Sequence, residues 1–456
     1  MRGQGTHTAV RRTVDRVDER FDERSSVRPS TSTGRANGAP IPFAEAVRFV
    51  LICLSIRPLW GEPMIARRRQ VGLVVTALLA AAAACQNHHR EQQHAPPGRP
   101  APSASRAAAE PGPAAPGAFT LVASGGILPD SSVVDRAGFD GGGVGYNFRP
   151  VFEGVRSAVS RADLALCHLD AVFGANAPYA GAPPHTFVSE LAQALAATGY
   201  DSCSTASEHT LDAGADGVWR TLDALDRAGV RHAGSARSEA EARGTLLRAG
   251  GAMVAHLAYT AGSNGPFPPG QPWAVRLIDG DRIAADARAA RAAGADIVVV
   301  SLHWGPAWQE APDEQQLALA RRLTASQTGG RPDIDLILGT HAHVPQPYEK
   351  VNGTWVVYGL GDQVAGQPAD QRGPRDPRAH QSTLARFTFA PPARSGGRWE
   401  VARAEFVPGV FDPDAGRVVN VGEAVARGAD LQGVLDRIQT VVFGRGAAKD
   451  GLMMGR

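Results

Sequence analysis

The sequence from Phe119 onward alternates short apolar runs with amphipathic segments of helical period. The runs are too short for typical helices and are bounded by Gly, Asp and Thr, as expected of buried strands. They read FTLVAS, DLALCH, YDSCST, GAMVAHLAY, DIVVVSLH, DIDLILGTH and TWVVYGLG. Strands that alternate with helices predict an α/β fold with a largely parallel sheet.

Two of the intervening segments show helix boundaries as well as helical period. In GADGVWRTLDALDRAGV, Val218, Leu222 and Leu225 recur on one helix face, and Gly229 is suited to end the helix. In PDEQQLALARRLTASQ, Pro312 and the acidic residues after it are typical of a helix start. Both segments are therefore predicted to be helices that flank the sheet.

In folds of this class, ligands bind at the carboxyl ends of the strands. The positions just past four predicted strands carry five histidines and two carboxylates. They are His168, Asp170, Glu208, His209, His303, His341 and His343. Imidazole and carboxylate together suit Zn²⁺, Fe or Mn²⁺. The sequence therefore predicts a site for one or two divalent metal ions at this edge of the sheet.

Other polar and aromatic residues have plainer interpretations. His256 lies within a predicted strand and fits a hydrogen-bonded core histidine, whereas His232 precedes a turn and fits an exposed or capping residue. Trp304 and Trp308 lie in HWGPAWQEAP, where they could stack on sugars or pack over the sheet edge. Both alternatives stay open for the two tryptophans.

A secretory signal begins at Met64 rather than at the first residue. Three consecutive arginines precede an apolar run from Val71 to Ala84, which is too short to cross a bilayer about 30 Å thick as a helix. The AAAC stretch that ends in Cys85 resembles the lipobox of bacterial lipoproteins. We expect cleavage before Cys85, lipidation of this residue, and a secreted protein tethered to the outer face of the cytoplasmic membrane.

The segments around this signal are predicted to be unfolded. Residues 1–63 are charged and polar without periodicity, and we expect them to be a misassigned or disordered extension. Residues 64–85 form the signal, and residues 86–117 form a Pro/Ala-rich linker. This leaves residues 118–456 as the predicted folded domain.

Charge and cysteine content limit the classes of partner. Residues 1–84 contain 13 Arg and 7 acidic residues, a net +6, whereas the remainder carries −4. The predicted domain therefore has no basic excess for nucleic acid, and we expect none as a partner. Cys167 and Cys203 lie in apolar contexts and are expected to be buried thiols rather than a disulfide.

Three stretches resemble the CapA family of capsule or poly-γ-glutamate synthesis proteins. They are the block that follows Tyr200, the VVVSLHWG stretch and GTHAHVPQPYEKVNGTWVVYGLGD. The resemblance extends from about Phe119 to about Leu452. It implies the calcineurin-like metallophosphatase fold, a layered α/β sandwich of mostly parallel strands with flanking helices.

The fold that this resemblance implies holds two metals with side chains from five loop motifs. Asp170 corresponds to the bridging carboxylate, and Glu208 stands where an Asn is usual. The resemblance implies five metal ligands: Asp170, Glu208, His303, His341 and His343. His209 is implied to be catalytic, protonating a leaving group or stabilising the charge that develops on it.

Several positions depart from the family pattern. Asp170 replaces the usual Glu, Gly126 stands where the first motif has its Asp, and Asp362 replaces the usual Asn. One cation position stays complete, with Asp170, Glu208, His303 and His341 as its ligands. The other retains only Asp170 and His343, fewer than a stable site needs. Asp130 is a rescue ligand if its loop folds back.

The resemblance implies metal-dependent hydrolysis or transfer at a phosphoester or γ-glutamyl amide. The substrate would be an extracellular anionic polymer or its precursor. A degenerate relative that binds, anchors or exports such a polymer without turnover is the alternative, and Gly126 favours it. The substitution Gly126→Asp separates the two hypotheses, because a weakened enzyme should then gain metal and activity.

Overall fold

The computed structural model describes residues 117–175, 186–365, 376, 378–394 and 397–456. The predicted extension at 1–63, the signal at 64–85 with Cys85, and the linker up to residue 116 lie outside the described residues. Within the described ranges, no helix has both the length and the apolar character needed to cross a membrane.

Nineteen strands and eight helices are assigned in the described part of the chain. The strands are β1 (Phe119–Leu128), β2 (Leu164–Leu169), β3 (Val172–Phe173), β4 (Thr186–Phe187), β5 (Ser202–Ser204), β6 (Arg231–Ala233), β7 (Thr245–Ala249), β8 (Ala252–Thr260), β9 (Ile297–His303), β10 (Gln327–Thr328), β11 (Arg331–Pro332), β12 (Leu336–Thr340), β13 (Tyr348–Val351), β14 (Thr354–Val357), β15 (Asp362–Ala365), β16 (Gln381–Ala390), β17 (Glu400–Asp412), β18 (Arg417–Asn420) and β19 (Leu452–Met454). The helices are α1 (Ser131–Asp140), α2 (Glu153–Ser160), α3 (Glu190–Thr198), α4 (Gly214–Ala228), α5 (Gly280–Ala292), α6 (Glu314–Ala325), α7 (Val421–Ala426) and α8 (Gln432–Val442).

The strands form two large sheets. The first has the order β18-β17-β16-β1-β2-β5-β6, and in addition β15 pairs with β1 and β19 pairs with β17. The second has the order β13-β14-β12-β9-β8-β7. The central pairs β1–β2, β2–β5, β12–β9 and β8–β9 are all parallel, while β16, β17 and β18 extend the first sheet in antiparallel pairing.

The two sheets pack face to face with helices outside. Along β1, Leu121 and Ala123 belong to the core between the sheets, whereas Val122 faces the helices α1 to α4. Along β12, Leu338 lies in the same central core and Ile337 faces α5 and α6. Because both faces of these strands are buried, their sequences are almost continuously apolar. The predicted layered α/β sandwich of mostly parallel strands is confirmed.

The local signals for helix ends are also confirmed in part. Gly229 follows α4 with φ of 80°, a left-handed conformation that only glycine adopts without strain. Helix α6 begins two residues later than Pro312 suggested, because Asp313 is its N-cap and forms a capping box with Gln316. Pro312 therefore lies before the helix rather than in its first turn.

The prediction for the cysteines was wrong. Cys167 on β2 and Cys203 on β5 are directly opposite in the parallel register, with Cα atoms 4.4 Å apart, and they form a disulfide. Their apolar surroundings agree with burial in the core, but the sequence does not reveal that β2 and β5 are neighbours. The bond lies at the centre of the first sheet and links two strands whose ends carry site residues.

Candidate metal centre

The carboxyl ends of strands from both sheets converge at one edge of the sandwich. Asp170 follows β2 and Glu208 follows β5, both in the first sheet. His303 is the last residue of β9, and His341 follows β12, both in the second sheet. The sandwich therefore brings acids from one sheet against imidazoles from the other.

One cluster is built around Glu208. Its Oε2 lies 3.0 Å from Nε2 of His303 and 2.7 Å from Nδ1 of His341. The rings of His303 and His341 have centroids 4.6 Å apart, and one ligand atom from each of the three residues lies within 4.8 Å of the others. Burial opposes ionisation of Glu208, but the hydrogen bond from His303 holds its pKa well below the ordinary range.

A second cluster joins His168, Asp170 and His303, whose ligand atoms also lie within 4.8 Å of one another. Nε2 of His168 lies 2.9 Å from Nδ1 of His303, and Nδ1 of His168 lies 3.2 Å from the hydroxyl of Ser204. Burial, assisted by the neighbouring His303, lowers the pKa of His168 to about 3. His168 is therefore neutral and fixes the ring of His303 rather than adding charge.

Asp170 is fully buried and surrounded by imidazoles. Burial alone would raise its pKa, but the surrounding histidines, with His303 foremost, lower it below the ordinary range. Its Oδ1 has no hydrogen-bond partner. This carboxylate therefore stays ionised in a buried position, which is costly unless a positive charge is nearby.

His343 lies on the other side of the site and contacts Asp362. Its Nδ1 lies 2.8 Å from Oδ2 of Asp362, and its ring stacks on Trp308 at 5.0 Å between centroids. Burial opposes protonation of His343, but the charge of Asp362 outweighs it and raises the pKa to about 9. His341 and His343 both have positive φ, 86° and 58°, a conformation costly for residues other than glycine. Strain of this kind is typical of functional sites.

Gly126 lies directly beside Asp362. In the sheet it is opposite Asp362 on β15 and opposite His168 on β2. A Cβ built on Gly126 would overlap Oδ1 of Asp362 and lie 3.3 Å from its Cγ. The side-chain space at this position is therefore filled by the carboxylate of Asp362, a neighbour that the sequence did not reveal.

The predicted rescue ligand Asp130 is buried at the residue before α1. Among the described residues, neither acid–histidine cluster of this site includes it. The loop after β1 continues directly into α1, and the rescue role of Asp130 stays a prediction.

His209, the predicted catalytic residue, lies beside the Glu208 cluster. Its Nδ1 lies 2.8 Å from Oδ2 of Asp212, and its Nε2 lies 3.8 Å from Oε1 of Glu208. The amide nitrogen of the Asn264 side chain lies 3.5 Å from Nδ1, and the backbone N–H of Asn264 donates to the carbonyl of Glu208. Burial opposes protonation of His209, but the hydrogen bond to Asp212 and the charge of Asp170 raise its pKa.

Asp212 and Asn264 were missed by sequence reasoning. Asp212 lies three residues after His209. This spacing could have predicted the contact, because short turns bring such pairs together. Asn264 comes from the long loop after β8, and only the folded structure places it beside His209.

The two tryptophans of the HWGPAWQEAP segment have different roles. Trp304 is buried and donates its indole N–H to the carbonyl of Tyr358, so it packs within the second sheet's outer core. Trp308 is 45% exposed and covers His343. The packing interpretation applies to Trp304, and only Trp308 presents a ring to solvent at the site.

Two histidines outside the site, His256 and His232, are structural. His256 is buried between the hydroxyls of Ser202 and Ser301, each 3.0 Å from a ring nitrogen, as expected of a core histidine. The expectation for His232 was wrong, because it is buried, with Nε2 3.3 Å from Asp226. A third acid–histidine group, Asp226, His232 and Glu241, also occurs among the described residues. Arg237 forms ion pairs with both of its acids and supplies the positive charge there.

The residues present fit a divalent cation. Oδ1 of the buried Asp170 has no hydrogen-bond partner. Buried polar atoms of this kind are rare in folded proteins unless a ligand satisfies them. The donors are imidazole nitrogens and carboxylate oxygens, which suit Zn²⁺, Fe or Mn²⁺.

Comparisons with known proteins agree with the resemblance seen in the sequence. A probable polyglutamine synthesis accessory protein of Mycobacterium tuberculosis (strain ATCC 25618 / H37Rv) is 30% identical over 219 residues, 44% of this chain and 55% of that protein. The PGA biosynthesis protein CapA of Bacillus subtilis (strain 168) is 31% identical over 166 residues, 36% of this chain and 42% of that protein. The chain thus spans about half the length of the curated relatives it matches.

Solved structures are similar at lower identity. A 5'-nucleotidase precursor from Thermus thermophilus aligns with TM-score 0.38 and 15% identity over 70% of this chain and 59% of that chain. The calcineurin-like phosphoesterase YfkN from Bacillus subtilis aligns with TM-score 0.34 and 14% identity over 64% of this chain and 90% of that chain.

The family model described as "Bacterial capsule synthesis protein PGA_cap" matches residues 120–367. This range is more than half of the chain and contains all of the acids and histidines described above, from Asp130 to Asp362. The chain belongs to the bacterial capsule synthesis protein PGA_cap family.

Proposed function

We propose that the protein is a metal-dependent hydrolase of phosphoester or γ-glutamyl bonds in a capsule-type anionic polymer or its precursor. The observation that carries the proposal is the convergence of Asp170, Glu208, His303 and His341 from the ends of four strands. Their ligand atoms fall into two overlapping clusters, each within 4.8 Å, that share His303. One or two ions of Mn²⁺, Fe or Zn²⁺ are the proposed cofactors.

The chain's own residues supply the acid–base chemistry. When bound, a divalent cation supplies Lewis acidity and generates a nucleophile from water near neutral pH. His209 carries the proton for the leaving group, because Asp212 keeps it protonated and holds its ring in place. Asn264 restricts the position of the same ring by contacting it from the loop after β8.

The polymer is proposed from the family rather than from the site. The matched relatives are named for polyglutamine and PGA synthesis, and the family for capsule synthesis. Trp308 provides one half-exposed aromatic face beside His343, where a polymer segment would pass. Its ring is large enough to contact a sugar or an aliphatic side chain.

We propose that the protein acts outside the cytoplasm, anchored to the outer face of the cytoplasmic membrane by lipid on Cys85. The basic and apolar pattern of residues 64–85 supports a signal of this kind. The disulfide between Cys167 and Cys203 supports an oxidising compartment, where such bonds persist.

Hydrolysis of a chromogenic phosphodiester and of poly-γ-glutamate by the chelated and the metal-loaded protein tests this function. We expect activity to need metal and to be lost in Glu208→Gln, which keeps the shape of the side chain but removes its charge. His232→Gln is the matched control, because His232 lies in the separate Arg237 cluster. Equal activity of the Glu208→Gln variant and the unaltered protein would refute a hydrolytic role for the centre.

The alternative function is a polymer-binding protein without turnover. Gly126 favours this alternative, because it stands on β1 where the first motif of the family has its Asp. This alternative predicts that poly-γ-glutamate binds the chelated and metal-loaded proteins equally and is recovered uncut. Polymer that is shortened only when metal is present would exclude it.

A further inference from the structure

The register of the first sheet places two departures from the family pattern side by side. Strands β1 and β15 are parallel, and Gly126 on β1 is directly opposite Asp362 on β15. The backbone N–H of Gly126 donates to the carbonyl of Gly361 at 2.9 Å, which fixes this register. Neighbouring residues in register point to the same face of a sheet. A side chain at position 126 and that of Asp362 therefore compete for one space.

The carboxylate of Asp362 occupies that space. A Cβ on Gly126 would overlap its Oδ1, so the two cannot be present without a shift. The carboxylate is 3% exposed and its Oδ2 lies 2.8 Å from Nδ1 of His343. The backbone N–H of Asp170 donates to the carbonyl of Ile127 at 3.2 Å, so Asp170 also lies beside the end of β1, next to Gly126.

We infer that Asp362 supplies, from β15, the carboxylate that Gly126 cannot supply from β1, and completes a second cation position with Asp170 and His343. The inference rests on the proposed function, since it assumes that the centre binds metal. Three protein ligands with room for water are typical of catalytic metal sites. The loss of an acid at Gly126 and its gain at Asp362 then compensate at this cation position.

Asp362 would have a different role if it only oriented the ring of His343 through a hydrogen bond. The substitution Asp362→Asn separates the two roles. An Asn side chain keeps an oxygen that can accept from His343, but it loses the charge that a cation requires. An orienting residue would tolerate this change, whereas a ligand would not.

The test is the number of Mn²⁺ ions bound per chain, measured by equilibrium dialysis and elemental analysis, with circular dichroism to confirm folding. We expect two ions in the unaltered protein and one in Asp362→Asn. The double variant Gly126→Asp/Asp362→Ala returns the acid to β1, removes the side chain that would overlap it, and should regain the second ion. Asp212→Asn is the matched control and should keep both, because Asp212 contacts His209 rather than the ligands.

Each outcome decides the inference. Two ions in both the unaltered protein and Asp362→Asn would overturn the ligand role and leave the proposed function intact. One ion in both, or failure of the double variant to regain an ion that Asp362→Asn has lost, would also overturn it. No ion in the unaltered protein would overturn the inference together with the proposed function.

Discussion

Adding a single methyl group at Gly126 should destabilise the protein. In Gly126→Ala the new Cβ would overlap Oδ1 of Asp362 and lie 3.3 Å from its Cγ and 3.8 Å from its Cα. If the strands shift to make room, overpacking costs about 1–3 kcal/mol. If Asp362 moves instead, its hydrogen bond with His343 is lost, at about 1.5–3 kcal/mol for a charged group. Either route predicts a loss of about 1–3 kcal/mol in the free energy of unfolding.

Urea denaturation of the chelated protein measures this loss, and a double-mutant cycle locates it. Asp362→Ala removes the overlapping oxygen, so Gly126→Ala should cost at least about 1 kcal/mol less in that background. Gly262→Ala is the control, because nothing lies within 4 Å of a Cβ there and its φ is not positive. A Gly126→Ala variant as stable as this control, or additive effects in the cycle, would refute the close approach of the two residues.

Three further predictions concern residues outside the metal ligands. Burial lowers the pKa of His256 to about 4, so the unfolded chain binds a proton near pH 6.5 before the folded chain does. The free energy of unfolding therefore has its full value above pH 6.5, where His256 is neutral in both states. It decreases by about 3 kcal/mol as the pH falls to 4. Urea unfolding at several pH values should show this slope, and His256→Gln should reduce it by the contribution of one histidine, because the pKa of His168 is lowered as well. In Asp212→Asn the pKa of His209 should fall, so kcat should decrease by about 10- to 100-fold. The alkaline limb of its pH–rate profile should move to lower pH. A limb that does not move would exclude proton donation by His209 with support from Asp212. Trp304→Ala should destabilise the fold by about 3–5 kcal/mol, whereas Trp308→Ala should leave stability within about 1 kcal/mol and weaken polymer retention on an affinity column. Equal effects of the two substitutions on stability would contradict the different burial of the rings.

The position of the site could be predicted because parallel strands end at a common edge. Asp170, His303 and His341 each lie at or just after the end of a strongly apolar strand, so their position at strand ends followed from the α/β pattern. Asp170 lies in the first sheet and the two histidines in the second, so it is the packing of the two sheets that brings them together. Glu208 was placed by the same rule, although three residues lie between it and the end of β5. The roles of these residues as ligands came from the family resemblance and stay predictions.

Contacts that depend on strand order could not be predicted. The pairing of Gly126 with Asp362 joins residues far apart in sequence, and only the insertion of β15 beside β1 brings them together. The same reason explains the missed disulfide, because Cys167 and Cys203 meet through the adjacency of β2 and β5. The role of His168 was missed because a buried imidazole that supports another imidazole has no signal of its own in sequence.

The antiparallel extension of the first sheet was also outside the prediction. Strands β16, β17 and β18 follow the last strand that the apolar pattern marked, and burial alternates along β18 and along the second half of β16. Alternation with one solvated face is typical of antiparallel strands at a sheet edge. Their contribution to the site is indirect, because β16 pairs with β1 along the half that precedes Gly126.

The most direct test of the account is an anomalous difference map from crystals of the protein soaked in Mn²⁺. We predict the strongest peak between Glu208, His303 and His341, at about 2.0–2.3 Å from their ligand atoms. An empty centre in well-ordered crystals, or a peak only at Asp226, His232 and Glu241, would contradict the claim that the converging acids and imidazoles bind a divalent cation.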